Sequence, residues 1–334
     1  MTDQPSGATM RSLRFHEYGD PADVLRLETA PIPDPGPNSI RVRVEACGLN
    51  PADWALCKGL FARDLPRGIG LDVAGVVDAV GEGVTGVAIG DPVLGPANYA
   101  DHGSAGASDY AILDHWALIP PGLDMIHAAS LTMAVETAYR GIDWLGVSAG
   151  QTLVVSGAGT TVGFAAVQMG LLRGARVIAT AGATFADRLR ALGAEVTPYG
   201  EGMVERVRAL AGKTPDLIYD AAPTNLLLGG TGASVLPELV EIAGGDGKRV
   251  LTCVDMVRAP QYGVRNGFDE KPGGPGGAVL RYDVLGDFAK LAAEGRFSVP
   301  LARTLTFEQW PEALAVSVSG RAHGKLVLLP GASA

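Results

Sequence analysis

Strand-like patterns dominate the chain up to Met133. In residues 40–45 every second position is apolar, which is the period of a half-buried strand. Asp72–Val80 is a longer apolar run, of the kind found in buried strands. Segments rich in Pro or Gly, at residues 31–37 and 95–108, predict loops between the strands. This part of the chain is therefore predicted to be rich in β-structure.

Beyond Met133 the pattern alternates between strand-sized apolar runs and helical segments. The predicted strands are residues 151–156, 176–181, 216–220 and 249–253, and the predicted helices are 135–144, 163–173 and 184–192. Residues 258–278, rich in Gly and Pro, predict a loop, 283–294 a helix and Lys325–Leu329 a last strand. Strands that alternate with helices predict a doubly wound parallel sheet. We therefore predict an α/β protein with a β-rich domain (residues 1–133 and 283–334) and a Rossmann domain (134–282).

Composition narrows the function classes. The length of 334 residues suits two domains, and a net charge of -9 argues against a nucleic-acid partner, which needs clustered Lys and Arg. Three unpaired cysteines predict reduced thiols, as in a cytoplasmic protein. The first residues lack the features of a signal peptide, and no apolar run reaches the length of a membrane span. We expect a cytoplasmic protein without a membrane or nucleic-acid partner.

A glycine-rich turn joins a predicted strand to a predicted helix. It comprises Gly157, Ala158, Gly159, Thr160, Thr161, Val162 and Gly163. Small residues there let the backbone approach a pyrophosphate, and the helix N-terminus offers N–H groups to it. The spacing departs from G-x-G-x-x-G, and an ordinary strand-to-helix connection is the alternative. Because a second strand follows the helix, the turn predicts a dinucleotide site.

The end of the next strand bears on which dinucleotide binds. NAD sites place an acidic residue there to hold the ribose 2′-hydroxyl. This strand ends around Thr180 without an acid, which favours NADPH because nothing would repel its 2′-phosphate. Arg188 and Arg190 follow in the next helix. Arg188 is a candidate phosphate ligand, although a solvated helix face explains either arginine equally well.

Six landmarks in order resemble those of zinc-independent quinone oxidoreductases. They are residues 48–53 (GLNPAD), 70–77 (GLDVAGVV), 136–139 (ETAY), 157–163, 192–194 (LGA) and 324–330 (GKLVLLP). The chain thus resembles the ζ-crystallin-like branch of the medium-chain dehydrogenase/reductase superfamily. The resemblance implies a GroES-like catalytic domain beside the Rossmann domain, an NADPH cofactor and a homodimer.

The resemblance also implies that no metal is bound. Zinc-dependent relatives carry a ligand Cys where this chain has Asn50, and a ligand His where it has Leu71. Leucine cannot ligate zinc, and asparagine is a poor ligand beside Cys or His. The lobe that holds a structural zinc in those relatives corresponds to residues 95–108, which contain no cysteine.

Individual site residues follow from the same resemblance. Asn50 and Asp53 match residues that line the nicotinamide end of the cleft, and Thr137 matches a threonine near the nicotinamide. Tyr199 and Arg321 match residues that hold the 2′-phosphate, whereas Phe185 replaces a phosphate-binding lysine. A capping role for Asp53 and a surface position for Arg321 are the alternatives. An exposed Asp53 would keep its ordinary pKa of about 3.9 and could not donate a proton at neutral pH.

The predicted activity is the NADPH-dependent reduction of a quinone or another conjugated carbonyl (an enone), without a metal. Residues 54–61 contain no tyrosine that could serve as a proton donor, which favours quinones and small enones. A 2-enoyl thioester or polyketide enoyl reductase of the same fold is the alternative enzyme. A non-enzymatic NADPH-binding protein is the alternative from another class, because fold alone does not decide function.

Overall fold

Residues 8–224, 232–267 and 279–331 are described by a computed structural model. The chain forms two compact units. The first contains Met1–Met133 and Leu285–Ala334, and the second contains Ala134–Val284. The predicted fold class is confirmed, since a β-rich GroES-like unit accompanies a Rossmann-like unit with a parallel sheet.

The elements follow in chain order. The first stretch contains β1 Thr9–Phe15, α1 Pro21–Val24, β2 Arg26–Pro31, β3 Ile40–Leu49, α2 Pro51–Cys57, β4 Arg67–Gly68, β5 Asp72–Val80, β6 Pro92–Pro96, β7 Tyr110–Leu113, β8 Ala117–Leu118 and α3 Met125–Ala128. The middle contains α4 Thr132–Leu145, β9 Thr152–Ser156, α5 Thr161–Leu172, β10 Arg176–Thr180, α6 Ala183–Ala191, β11 Glu195–Thr197, α7 Met203–Ala211, β12 Leu217–Asp220, α8 Leu236–Ile242, β13 Val250–Thr252 and β14 Arg265–Asn266. The last stretch contains α9 Leu285–Ala293, β15 Leu301–Thr306, α10 Trp310–Val318 and β16 Lys325–Leu329.

The main sheet of the first unit has the strand order β15-β16-β3-β5-β6-β8, with β7 paired to β3. Along β3 the side chains of Ile40, Val42 and Val44 are buried, as the alternating pattern predicts. β3 pairs antiparallel with both β16 and β5. The end of β3 therefore meets the starts of β5 and β16 at one edge of the sheet. A separate sheet has the order β2-β1-β4.

The second unit contains a six-stranded parallel sheet of order β11-β10-β9-β12-β13-β14. Its apolar strands supply core residues such as Val154, Ile178 and Ile218, against which α7 and α8 pack. From β9 the chain continues to β10 and β11 toward one edge of the sheet, and from β12 it continues to β13 and β14 toward the other edge. The carboxyl ends of β9 and β12 therefore form the switch point where doubly wound sheets bind ligands.

Some element bounds differ from those expected. Helix α5 begins at Thr161, two residues before the expected start, because Thr160 caps it. The expected loop at 258–278 contains a 3₁₀ helix, Ala259–Tyr262, and strand β14, which extends the parallel sheet; residues 268–278 lie outside the described part. Among the described helices, none is both long and apolar enough to cross a bilayer.

Candidate functional site

Asn50 and Asp53 form the N-terminal cap of α2. The Asn50 backbone N–H donates to Asp53 Oδ2 at 2.6 Å, and the Asn50 side-chain amide lies 3.4 Å from the same oxygen. The other carboxylate oxygen, Oδ1, accepts the backbone N–H groups of Gly70 and Leu71 at 2.8 and 2.9 Å. One oxygen thus caps α2, and the other joins α2 to the segment that leads into β5. Asp53 has the geometry of a capping carboxylate.

Burial changes the acidity of Asp53. Its side chain has no solvent exposure, and the loss of solvation raises its pKa to about 6, although the backbone N–H donors act in the opposite direction. The ordinary pKa expected of an exposed Asp53 therefore does not apply, because the side chain is buried. Both oxygens of this carboxyl are held by backbone N–H groups. Near neutral pH they are therefore not free to contact a substrate.

A buried lysine completes the polar cluster around Asn50. Lys325 Nζ donates to Asn50 Oδ1 at 2.6 Å and forms a short ion pair with Asp72 Oδ2. The Asn50 amide donates to the same Asp72 oxygen at 3.2 Å, and Asp72 Oδ1 accepts the Met133 backbone N–H. Burial raises the pKa of Asp72, and Lys325 opposes that shift. Asn50, Asp53, Asp72 and Lys325 are hereafter called the lysine cluster.

The lysine cluster includes Asn50, which the family resemblance places at a metal-ligand position of zinc-dependent relatives. Leu71, which the same resemblance places at the position of a ligand histidine, is buried. Within the described part of the chain, no group of three or more His, Cys, Asp or Glu side chains could hold a metal ion. Cys47, close to Gly70, is buried, and desolvation raises the pKa of its thiol well above the usual value. A thiol held neutral is a poor zinc ligand.

In the second unit, the glycine turn lies at the switch point of the parallel sheet. Gly157 has φ of +71°, and a Cβ there would lie 2.5 Å from Ala222 Cα. A Cβ on Gly163 would lie 2.2 Å from the Gly157 carbonyl oxygen. Both positions therefore require glycine, so that the turn can pack tightly at the ends of β9 and β12. This close-packed turn fits the pyrophosphate of a dinucleotide.

Thr160 organises the start of α5. Its hydroxyl donates to the Gly157 carbonyl at 2.9 Å and accepts the Gly163 N–H at 2.9 Å. Thr160 therefore caps the helix, and it uses one of the N–H groups at the helix start. The N–H groups of Thr161 and Val162 occupy the first helical positions, where the helix supplies no acceptor. These two are the donors available to a phosphate, and Ala158 in the turn is buried.

Two buried polar residues hold the turn against neighbouring strands. The Gly157 N–H lies 3.4 Å from Thr180 Oγ1, and the Ala158 N–H donates to the Thr180 carbonyl at 3.0 Å. Thr180 thus contributes to the site by fixing the turn. On the other side Asp220 accepts the Ala222 N–H at 3.1 Å and the Thr252 hydroxyl at 2.8 Å, and desolvation raises its pKa to about 6.

A cavity of about 440 Å³ lies at the carboxyl end of β10 and beside β11. One face of α6 lines it, with Ala183, Ala186, Asp187 and Arg190 at helical spacing. Tyr199 lines the opposite side and is 66% exposed. Arg190 and Asp187 form an exposed ion pair of 2.8 Å. The cavity offers a cation, an aromatic ring and small residues next to the acid-free strand end.

Arg188 lies on a different face of α6. Its guanidinium stacks over the rings of Phe164 and Phe185, at 5.3 and 5.9 Å from their centroids. Phe185, at the family's lysine position, is buried against Phe164. Arg188 does not line the cavity, whereas Arg190 does. The sequence could have shown which arginine lines the cavity only if the face of α6 that points toward the cavity had been known.

The other two candidate site residues are Thr137 and Arg321. On α4, the Thr137 hydroxyl lies 3.4 Å from Glu136, and its carbonyl accepts the hydroxyl of the buried Tyr219. Arg321 is exposed in the first unit, after α10, where its backbone N–H donates to Ser319. Asp72 and Lys325 were missed at the sequence level. A charged residue at the start of each of two strands made mostly of apolar residues was the signal that could have revealed them.

Comparison with known proteins gives two family matches and several related proteins. Residues 36–123 match the alcohol dehydrogenase GroES-like domain, and residues 192–328 match the zinc-binding dehydrogenase family. The chain is 28% identical to the chloroplast envelope quinone oxidoreductase homolog of Arabidopsis thaliana, over 97% of this chain and 100% of the relative. It is 32% identical to the spectinabilin polyketide synthase system protein NorB of Streptomyces orinoci, over 90% of this chain and 14% of that protein. The solved quinone oxidoreductase from Coxiella burnetii has the same fold (TM-score 0.79, 24% identity, 97% and 100% coverage).

Proposed function

Because the chain belongs to the medium-chain dehydrogenase/reductase superfamily, we propose that it is an NADPH-dependent reductase of quinones or other conjugated carbonyl compounds, active without a metal. Membership makes the chain an oxidoreductase, and the fold implies a nicotinamide cofactor. The proposal adds NADPH, the acceptor class and metal independence. A homodimer and a cytoplasmic location are part of the same proposal.

The observation that carries this proposal is the glycine turn at the carboxyl ends of β9 and β12. Gly157 and Gly163 are so tightly packed that a Cβ at either would meet backbone atoms. The N–H groups of Thr161 and Val162 would bind the pyrophosphate, while Thr160 and Thr180 hold the turn in place. When bound, the nicotinamide supplies the hydride, and the protein provides orientation and a site sheltered from water.

The preference for NADPH is supported by the cavity between α6 and Tyr199. The strand beside it ends without a carboxylate, and Arg190 lines it with a guanidinium, the group best suited to bind a phosphate. Asp187 already pairs with Arg190, so the phosphate has to compete with this carboxylate. A moderate rather than strict preference for NADPH follows. Tyr199 and Arg321 are the further ligands that the family resemblance suggests.

Quinones are the favoured acceptors because they require little help from acid–base groups. After hydride addition the product oxyanion can take its proton from water or from a neutral hydrogen-bond donor. The Asp53 carboxyl is occupied by backbone N–H groups, and Asn50 and Thr137 do not ionise at working pH. The similarity to a polyketide synthase system protein favours one second candidate, the reduction of an enoyl thioester.

A substrate panel tests the proposal. NADPH oxidation would be followed by its absorbance with benzoquinones, naphthoquinones, small enones and a 2-enoyl thioester, each with and without EDTA. We expect turnover of quinones and enones, unaffected by EDTA. Faster turnover of the thioester would favour the second candidate, and NADPH binding without any turnover would contradict an enzymatic role.

A further inference from the structure

The positive charge in the lysine cluster is supplied by a protein side chain, that of Lys325. Lys325 is 1% exposed and Asp72 is fully buried, so the ammonium and the carboxylate face each other without solvent. Lys325 Nζ also donates to Asn50 Oδ1 at 2.6 Å. This fixes the amide orientation, because the oxygen faces the ammonium and the NH₂ group faces the carboxylates of Asp72 and Asp53.

The sheet register brings these distant residues together. In the antiparallel pair β3–β16, Leu49 lies opposite Leu326 and Gly48 opposite Val327, so Lys325 comes level with Asn50. In the pair β3–β5, Gly48 lies opposite Asp72. A Cβ on Gly48 would lie 2.7 Å from Lys325 Cε and 2.1 Å from the Ala129 carbonyl. Glycine at position 48 therefore makes room for the lysine side chain.

A zinc ion does not fit this cluster. The zinc-binding dehydrogenase match implies such an ion, yet the two ligand positions hold Asn50 and Leu71. Zinc prefers Cys, His or carboxylate ligands, and leucine offers no donor atom. The Asn50 oxygen and the Asp72 carboxylate, which could still bind a cation, are both occupied by the ammonium of Lys325. A divalent ion would also be repelled by that charge.

We propose that Lys325 is a positioning residue that replaces the metal as the organising cation of this site. Its ammonium neutralises Asp72 and holds the Asn50 amide in one orientation, as a metal would hold its ligands. Removing either charge of the Lys325–Asp72 pair leaves the other buried and uncompensated, whereas removing both leaves neither of the two unpaired. The role of Asn50 in catalysis rests on the proposed function, while the cation replacement does not.

The kinetic test compares Lys325→Met, Asp72→Asn and the double variant. We expect each single variant to lower the melting temperature by about 5 °C or more, and the double variant to recover most of that loss. In the folded double variant, kcat should fall roughly ten-fold while the Kd for NADPH stays unchanged, because only the amide orientation is lost. Lys58→Met is the control, since Lys58 pairs with Asp20 at the surface, and it should change neither quantity. Wild-type kcat in the double variant would reduce Lys325 to a structural role and overturn the proposal.

The metal test needs no activity and uses Co²⁺ alone as the probe. The ligands are restored in Asn50→Cys/Leu71→His, with and without Lys325→Met, and thiolate–Co²⁺ absorption is titrated. We expect about one Co²⁺ per chain when Lys325 is replaced and none when it is present. Equal binding in both variants, or binding in neither, would overturn the proposal. Failure of wild-type turnover would instead contradict the proposed function and leave this result intact.

Discussion

The hydroxyl of Thr160 accepts the backbone N–H of Gly163 at 2.9 Å and thereby caps the helix that starts at the glycine turn. The same hydroxyl donates to the Gly157 carbonyl, so it closes the turn from within. The turn depends on its glycines for packing and on Thr160 for its hydrogen bonds.

Replacing Gly163 with alanine should disrupt the turn itself. Its Cβ would lie 2.2 Å from the Gly157 carbonyl, so backbone atoms have to move, at a cost of roughly 1–3 kcal/mol. Gly159→Ala is the matched control, because its Cβ would meet only the Phe185 ring, at 3.1 Å. We expect Gly163→Ala to lose both thermal stability and NADPH binding, and Gly159→Ala to retain more stability. Normal binding and melting temperature in Gly163→Ala, measured by fluorescence titration and calorimetry, would contradict this prediction.

Replacing Arg190 with alanine should weaken NADPH use and spare NADH use. The lost charge-assisted bond to a 2′-phosphate corresponds to roughly ten- to a hundred-fold in kcat/KM for NADPH. Arg188→Ala provides the control, since Arg188 stacks on Phe164 and Phe185 and does not line the cavity. Asp187→Asn should raise the preference for NADPH, because it frees Arg190 from its ion pair. If Arg188→Ala alone changes the NADPH to NADH ratio, the assignment of the phosphate to Arg190 is wrong.

The buried Asp53 should make the free energy of unfolding decrease as the pH rises. Its pKa is about 6 in the folded protein and near the ordinary value of 3.8 when unfolded. The folded state therefore keeps this proton between those values, while the unfolded state loses it. The contribution of Asp53 to the free energy of unfolding is therefore largest below pH 4. It is lost as the pH rises through 6, by about 3 kcal/mol for a shift of this size.

Asp53→Asn tests this dependence. The variant should be less stable at every pH, because an amide NH₂ would oppose the Asn50 N–H where a carboxylate oxygen now accepts it. Its melting temperature should also fall less steeply between pH 4 and 6 than that of the wild type. Asp72, whose pKa is raised in the same direction, remains in both proteins. Identical slopes would show that Asp53 does not carry the effect.

No single side chain should act as an indispensable proton donor. Thr137→Ala should lower kcat on the order of ten-fold, through the loss of one hydrogen-bonding group that the family resemblance places near the nicotinamide. A missing general acid typically costs about 10²–10⁴-fold. We would measure kcat from pH 6 to 9 for the wild type, Thr137→Ala and Thr137→Ser, the last of which keeps the hydroxyl. A bell-shaped profile that disappears in Thr137→Ala, with a thousand-fold loss, would favour an enoyl reductase with a dedicated acid.

Prolonged chelation should leave activity unchanged. The reason is the presence of Asn50 and Leu71 at the ligand positions and of an ammonium beside Asn50. The measurement is metal content by mass spectrometry, together with quinone reduction before and after dialysis against EDTA. About one zinc per chain, with activity that disappears on dialysis and returns with zinc, would refute metal independence.

Much of the fold was readable from the sequence because its signals are local. The apolar runs of β9, β10 and β12 and the glycine turn after β9 depend on neighbours a few positions away. The substitutions at Asn50 and Leu71 were equally visible, since each concerns the chemistry of one residue. These features determined the fold class, the dinucleotide turn and the expectation of a site without zinc.

Tertiary structure decided what those residues do. Asn50 and Lys325 are separated by 275 positions in the chain, and only the register of β3 and β16 places them side by side. Arg188 and Arg190 look alike in sequence, and the packing of α6 decides which one lines the cavity. The pKa of Asp53 depends on burial, which is a property of the folded chain. Local pattern thus determines which elements form, whereas charge neutralisation and solvent exclusion are set by contacts between residues far apart in sequence.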